Sequence, residues 1–238
     1  MHNKLYIGLI TIITVITFSG LSSAQQAGIN LSVALPQGEF GEEVDNIGYG
    51  LSGEFMFLSP KPKSPFGLGL NLGYYVYGSE SRSEPMYNIP EVFLRVDRTN
   101  NLVNFHVVFE VGLPTGRVRP YLQGLFGGQY LFTETSVKNE RNSEEFASST
   151  NYEDWAWSYG AGGGISILLG GDPVTGANAI YLDLKARYLF GSEATYLKEG
   201  SVEVIEQQVT YHPSKSKIDL LTIHAGVRIA LDFSQNEN

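Results

Sequence analysis

The stretch Val118–Thr133, VRPYLQGLFGGQYLFT, decides the fold. Read with a period of two, it places Leu122, Phe126, Tyr130 and Phe132 on one face, with Gly124 and Gly128 between them, and Arg119, Tyr121, Gln123, Gly127 and Gln129 on the other. Soluble sheets alternate as well. They seldom carry large apolar side chains on one face and Arg and Gln on the other through a run long enough to cross hydrocarbon, roughly ten residues when tilted. The stretch reads as a lipid-facing strand.

The same alternation recurs on both sides of it. Ile29, Leu31, Val33 and Leu35 alternate with Asn30, Ser32 and Ala34, and an acidic loop with Glu39, Glu42, Glu43 and Asp45 follows. Tyr49, Leu51, Phe55 and Phe57 then face outward opposite Gly50, Ser52 and Glu54, up to the proline-broken turn SPKPKSP at Ser59–Pro65. Phe66 to Val76, Val103 to Val111, Trp155 to Leu169, Ile180 to Phe190 and Leu221 to Phe233 repeat the pattern, giving eight strands in all. Long polar connections (Gly78–Asn101, the residues after Thr133 to Asp154, and Gly191–Lys217) alternate with short turns, as extracellular loops and periplasmic turns do in outer-membrane barrels. EVFLRVD in the second half of the first alternates again, so the sheet is expected to rise above the membrane there, and the third contains another alternating piece around Val202 to Tyr211. Aromatics sort with them. Tyr74, Tyr130, Phe132, Trp155, Trp157, Tyr188 and Phe190 adjoin the long connections, and Phe57, Phe66, Phe109 and Phe233 adjoin the short ones or the terminus, as two interfacial girdles require.

Residues 1–24 are set aside as a secretory leader, with Lys4 as its basic region, Leu5–Phe18 as its apolar run and Ser22, Ser23 and Ala24 as a small-residue cleavage site. The apolar run is shorter than the roughly twenty residues of a spanning helix. No later segment is long and apolar enough for one, so membrane residence of residues 25–238, one domain by length, requires a closed barrel. The chain has no cysteine, which excludes disulfides, thiolate metal sites and cysteine nucleophiles. With 25 acidic against 16 basic residues and no basic stripe, nucleic acid is not an expected partner.

The chain resembles the small bacterial outer-membrane barrels, the group represented by OmpX, OmpW and the membrane domain of OmpA. The motif that carries the resemblance is terminal: His224, Gly226, Ile229, Leu231 and Phe233 match the polar, glycine, hydrophobic, hydrophobic, aromatic spacing of that group's last strand. Five residues, SQNEN, follow Phe233, where the group often stops on the aromatic. The resemblance implies an eight-stranded antiparallel up-and-down transmembrane barrel in the outer membrane of a Gram-negative cell envelope. It also implies a monomer recognised by the barrel-assembly machinery through the terminal motif, with membrane lipid and lipopolysaccharide around it.

Inward-facing positions carry Glu54, His106, Glu110, Arg119, Asp183, Lys185, Arg187, His224, Arg228 and Asp232. An eight-strand lumen is just wide enough for side chains to fill it, so this set is expected to pair into a plug. A small porin or channel would use the same residues as a permeation path. His106 and Glu110 lie four apart on one strand, roughly 13 Å, too far for direct proton transfer. A membrane-embedded lipid A hydrolase or acyltransferase would need a His with a Ser or carboxylate at the outer leaflet; His106 lacks a Ser two residues along, and Thr222 is the one hydroxyl neighbour of His224 on its strand face. The glycine run Gly160–Gly164 lacks the Lys-Ser/Thr of a phosphate loop. Catalytic, cofactor and metal sites are therefore not expected, and function falls to the loops. A secreted lipocalin-like carrier remains as an alternative, with the faces inverted and an apolar ligand inside.

Overall fold

The computed structural model describes residues 25–86, 89–139, 145–172, 178–205 and 208–231. The leader 1–24, Asp232 and Phe233 lie outside them. Eight strands close a barrel: β1 (Gln25–Gln37), β2 (Gly48–Leu58), β3 (Phe66–Met86), β4 (Ile89–Gly112), β5 (Val118–Asn139), β6 (Glu145–Gly170), β7 (Ile180–Gly191) and β12 (Asp219–Leu231). Every neighbouring pair is antiparallel, and β1 against β12 forms the seam, with Leu31 opposite Ala225 and Ser32 opposite His224. Helix α1 (Gly38–Glu43) follows β1, and four short strands lie between β7 and β12: β8 (Glu193–Tyr196), β9 (Val202–Ile205), β10 (Gln208–Tyr211) and β11 (Ser214–Lys217).

The faces fall as the period of two requires. Ile29, Leu31, Leu51, Leu72, Phe105, Phe109, Leu122, Phe126 and Ile223 are exposed on the outer surface, while Asn30, Ser52, Asn71, His106, Gln123 and Thr222 are buried within. At the seam, a side chain on Gly226 would place its Cβ 2.0 Å from the Ile29 carbonyl oxygen, so glycine is what lets β12 approach β1. On β6, a Cβ at Gly164 would sit 2.5 Å from the Tyr121 hydroxyl; there glycine makes room for a lumen side chain.

Two of the three long connections expected from sequence are strand. β3 and β4 stay paired from Phe66 with Val111 out to Met86 with Ile89, and β5 and β6 from Val118 with Ile167 out to Lys138 with Glu145. Strands of 21, 24, 22 and 26 residues are about twice what a bilayer needs. Beyond the membrane they form a four-stranded crown. Polar composition on these segments marks exposure to water on the sheet face, not loss of the ladder, because several adjacent paired strands support one another there. The third long connection folds into two hairpin ladders, β8 with β11 and β9 with β10. The acidic segment after β1 is the helix α1, not a loop, and its Phe40 is fully buried.

Candidate functional site

The barrel lumen gathers the ionisable residues that alternation turns inward. Glu54 on β2 lies at the centre: Lys185 Nζ is 3.1 Å from Oε2, to which Arg187 also donates, and Arg228 Nη2 donates to Oε1 at 2.9 Å. Arg228 reaches Glu110 in a forked contact (3.1 and 3.2 Å), and Lys185 reaches Asp183 at 3.2 Å. Three carboxylates, Glu54, Glu110 and Asp183, thus face three cations, Lys185, Arg187 and Arg228, all buried. Such charges are tolerated away from water only when paired and hydrogen-bonded.

Neutral side chains complete the layer. Gln123 donates to Glu110 (2.8 Å) and Glu54 (3.3 Å) and accepts from Arg187 (2.7 and 3.0 Å). Asp183 accepts from Tyr121 (2.7 Å) and Ser166 (2.9 Å), and Arg228 lies 4.6 Å above the Tyr121 ring. Neither Gln123 nor Tyr121 carries a charge in its sequence signature, yet together they bridge both signs. Only the cross-strand register reveals that role.

The remaining inward residues stand apart from the layer. Arg119 lies over the Tyr181 ring at 4.8 Å, and its Nε donates to the Gly116 carbonyl near the short-turn end. A cavity of about 20 Å³ opens there, lined by Gln26, Glu110, Arg119, Tyr121, Tyr181 and Arg228, room for about one water molecule. His106 is fully buried and joins no charge pair among the described residues. His224 meets Ser32 (2.7 Å) and Ser52 (3.1 Å) through Nδ1 and Thr222 (2.9 Å) through Nε2. The two serines come from β1 and β2, across the seam, which is why the sequence shows His224 only Thr222. In the terminal motif, His224 and Gly226 face inward, Ile229 is exposed on the outer surface, and Phe233 lies outside the described residues, as does Asp232 from the charge set.

The opposite mouth is closed by apolar packing. Phe40 of α1 meets Tyr77 (5.7 Å) and Tyr196 (5.0 Å) edge-on, and Ile218 and Leu220 are buried in the same cluster. The helix is strapped to the connection beyond β7. Lys198 Nζ donates to Glu43 at 2.6 Å, Ser214 to the same carboxylate at 3.2 Å, and the Lys217 backbone to Glu39 at 3.1 Å. The hydrogen bonds from Lys198 and Ser214, with the charge of Lys198, hold the Glu43 carboxyl below its usual range. The lone large apolar residue in GEFGEE was the available signal for this lid.

Trp155 and Trp157 meet edge-on at 6.4 Å, Phe126 stacks on Trp157 at 6.0 Å, and Tyr159 stacks on Phe190 at 5.5 Å, all facing away from the lumen. Tyr74 donates upward to Asn101 at 2.8 Å and Tyr130 to Glu153, so rings lie below and hydroxyls reach the polar side, as aromatic residues do at a membrane interface. An apolar outer belt, a hydrogen-bonded polar lumen and a sheet closed on itself below the crown define a transmembrane barrel of the outer-membrane type. Among the described residues, no cluster of three or more His, Asp or Glu could hold a metal ion.

In overall fold the chain is similar to Neisserial surface protein A, with 14% identity, a TM-score of 0.40, and coverage of 88% of this chain and 97% of that one. It is similar also to Ail, the attachment invasion locus protein of Yersinia pestis (12% identity, TM-score 0.36, 87% and 97% covered). A third similar structure is a major outer membrane protein from Thermus thermophilus (12% identity, TM-score 0.34, 86% and 99% covered). No protein-family model and no curated protein matches the chain.

Proposed function

We propose that this chain is an integral outer-membrane barrel, closed to solutes, with a structural or surface-interaction role carried by its crown. The observation that carries this reading is closure at two levels: a neutral layer of three carboxylates and three cations across the lumen, and the Phe40 lid above it. Both ends of the sheet pair at the short-turn side, Gln25 with Leu231, which supports an orientation with the termini in the periplasm and the crown outside. Residues 1–24 are then removed on export, and the terminal motif directs barrel assembly. Outer-leaflet lipid and lipopolysaccharide surround a monomer.

The reading is non-enzymatic. Ser32 and Ser52 share His224 Nδ1 (2.7 and 3.1 Å), the pairing of an activated nucleophile, but the second nitrogen of that ring is held by Thr222 rather than a carboxylate. All four residues are buried between lid and charge layer, away from any acyl chain. In planar bilayers the purified protein is expected to show no steady conductance. Reproducible ion-selective openings that vanish on neutralising Arg228 or Glu110 would make it a small porin instead.

A further inference from the structure

The outer face of the crown carries a groove that the closed-barrel reading does not use. It lies immediately above the stacked Tyr130–Phe132 pair (ring centroids 5.4 Å), and its volume is about 360 Å³, within the range of small-ligand sites. Pairing of β4 with β5 runs without a register shift from Gly112 with Tyr121 to Leu94 with Asn139. Alternation therefore carries the outward parity of Phe105, Val103, Tyr130 and Phe132 up to Arg95, Asp97, Thr99, Glu134 and Ser136. Those residues, with Ser81 of β3, line the groove. The surface that meets acyl chains below is thus continuous with one lined by hydroxyls and carboxylates above.

The polar groups are arranged rather than scattered. Arg95 Nε donates to both Asp97 (2.8 Å) and Ser81 (2.9 Å), and Ser81 donates to Asp97 at 2.7 Å. Arg95 Nε is thus engaged within the groove, where one arginine faces two carboxylates, Asp97 and Glu134. A phosphate site needs surplus cations and finds none among these side chains. Hydroxyls and carboxylates on adjacent strands suit vicinal hydroxyls of a sugar ring, which donate and accept at once. Four residues of strand from Phe132 to Ser136 rise roughly 13 Å, so the groove stands at headgroup height above an aromatic sill.

We propose that this groove binds the sugar rings of a glycolipid headgroup in the outer leaflet, whose acyl chains run down the aromatic face below. The proposal rests on the membrane-spanning reading above. The site assignment is to uncharged hydroxylated saccharide, with the lipid as its source, and Asp97 and Glu134 as the acceptors.

The chain has no cysteine, so a Thr150→Cys variant carries one solvatochromic label at the groove rim, and Lys61→Cys on the opposite side serves as its control. Each is incorporated into phosphatidylcholine nanodiscs with increasing digalactosyl diacylglycerol. The rim label is expected to respond saturably and the control label to stay flat. Replacing Asp97→Asn together with Glu134→Gln should weaken the response about tenfold, the worth of one charge-assisted hydrogen bond. An equal response to phosphatidylglycerol, or to soluble digalactoside at matched sugar concentration, overturns the assignment to a glycolipid sugar. Labelled protein that floats with the discs yet does not respond overturns the groove alone. Protein that fails to float with them overturns the membrane reading and the groove with it.

Discussion

Glu54 is the residue on which the lumen's charge balance turns, and its replacement by Gln should be among the most damaging single changes in the barrel. The substitution keeps volume and leaves Lys185, Arg187 and Arg228 facing Glu110 and Asp183 alone, an uncompensated positive charge in a buried layer. At an effective dielectric near 20, each contact at about 3 Å is a Coulomb attraction of roughly 5 kcal/mol before desolvation is subtracted. Removing one partner of such a pair costs about 3–5 kcal/mol, most of it the penalty of leaving a buried charge without its counterion. Urea unfolding from phospholipid vesicles, followed by circular dichroism at unchanged m, measures that loss. The double variant Glu54→Gln, Lys185→Met restores two anions to two cations and should recover about 1–2 kcal/mol of it. Glu193→Gln, whose partner Lys215 is largely exposed, should leave the midpoint unmoved. A loss under about 0.5 kcal/mol for Glu54→Gln, or a double variant less stable than the single, would refute the charge-layer account.

Two more outcomes follow from the same geometry. Leu184 faces outward next to the buried Lys185, and Leu184→Arg should destabilise the vesicle-embedded barrel by about 2–4 kcal/mol, whereas unchanged stability would mean that this face does not meet hydrocarbon. Glu43 is a carboxylate with a folded value held low, so its tether to Lys198 contributes fully above the unfolded value near 4.3 and is lost as pH falls through the depressed one. Amide exchange over Gly38–Val44, corrected for its intrinsic pH dependence, should therefore rise below about pH 4 and should already be raised at neutral pH in Glu43→Gln. Protection that is flat across that range would sever the lid from this tether.

The period of two was enough to orient every described barrel strand, because lipid outside and a packed polar lumen inside impose opposite chemistry on successive residues. Above the membrane it held only in part: the alternating pieces EVFLRVD and Val202 to Tyr211 fall on paired strands, and the rest did not show, for a related reason. Once both sheet faces meet water the contrast fades, so Ser79–Ser83 and Glu134–Ser136 look like loop although they are paired strand. Membership of the charge layer was legible from parity for Glu54, Glu110, Asp183, Lys185, Arg187 and Arg228. Which of them touch was not, since that depends on strand stagger, and stagger also brings Ser32 and Ser52 to His224 and takes Arg119 out to Tyr181. The lid is not legible in the sequence because one phenylalanine among glycines and glutamates carries no periodicity.

The central claim, that the apolar face of this barrel meets acyl chains, is most directly tested by the chain's own tryptophans. There are two, Trp155 and Trp157, 45% and 62% exposed on the outer face, so no interior indole dilutes the signal. With the protein folded into vesicles of lipids brominated along the acyl chain, their fluorescence should be quenched, and most strongly by bromines near the headgroup end, where the upper girdle lies. Emission that is unquenched at every bromine depth and red-shifted as in water would place the aromatic face outside the membrane and contradict the account.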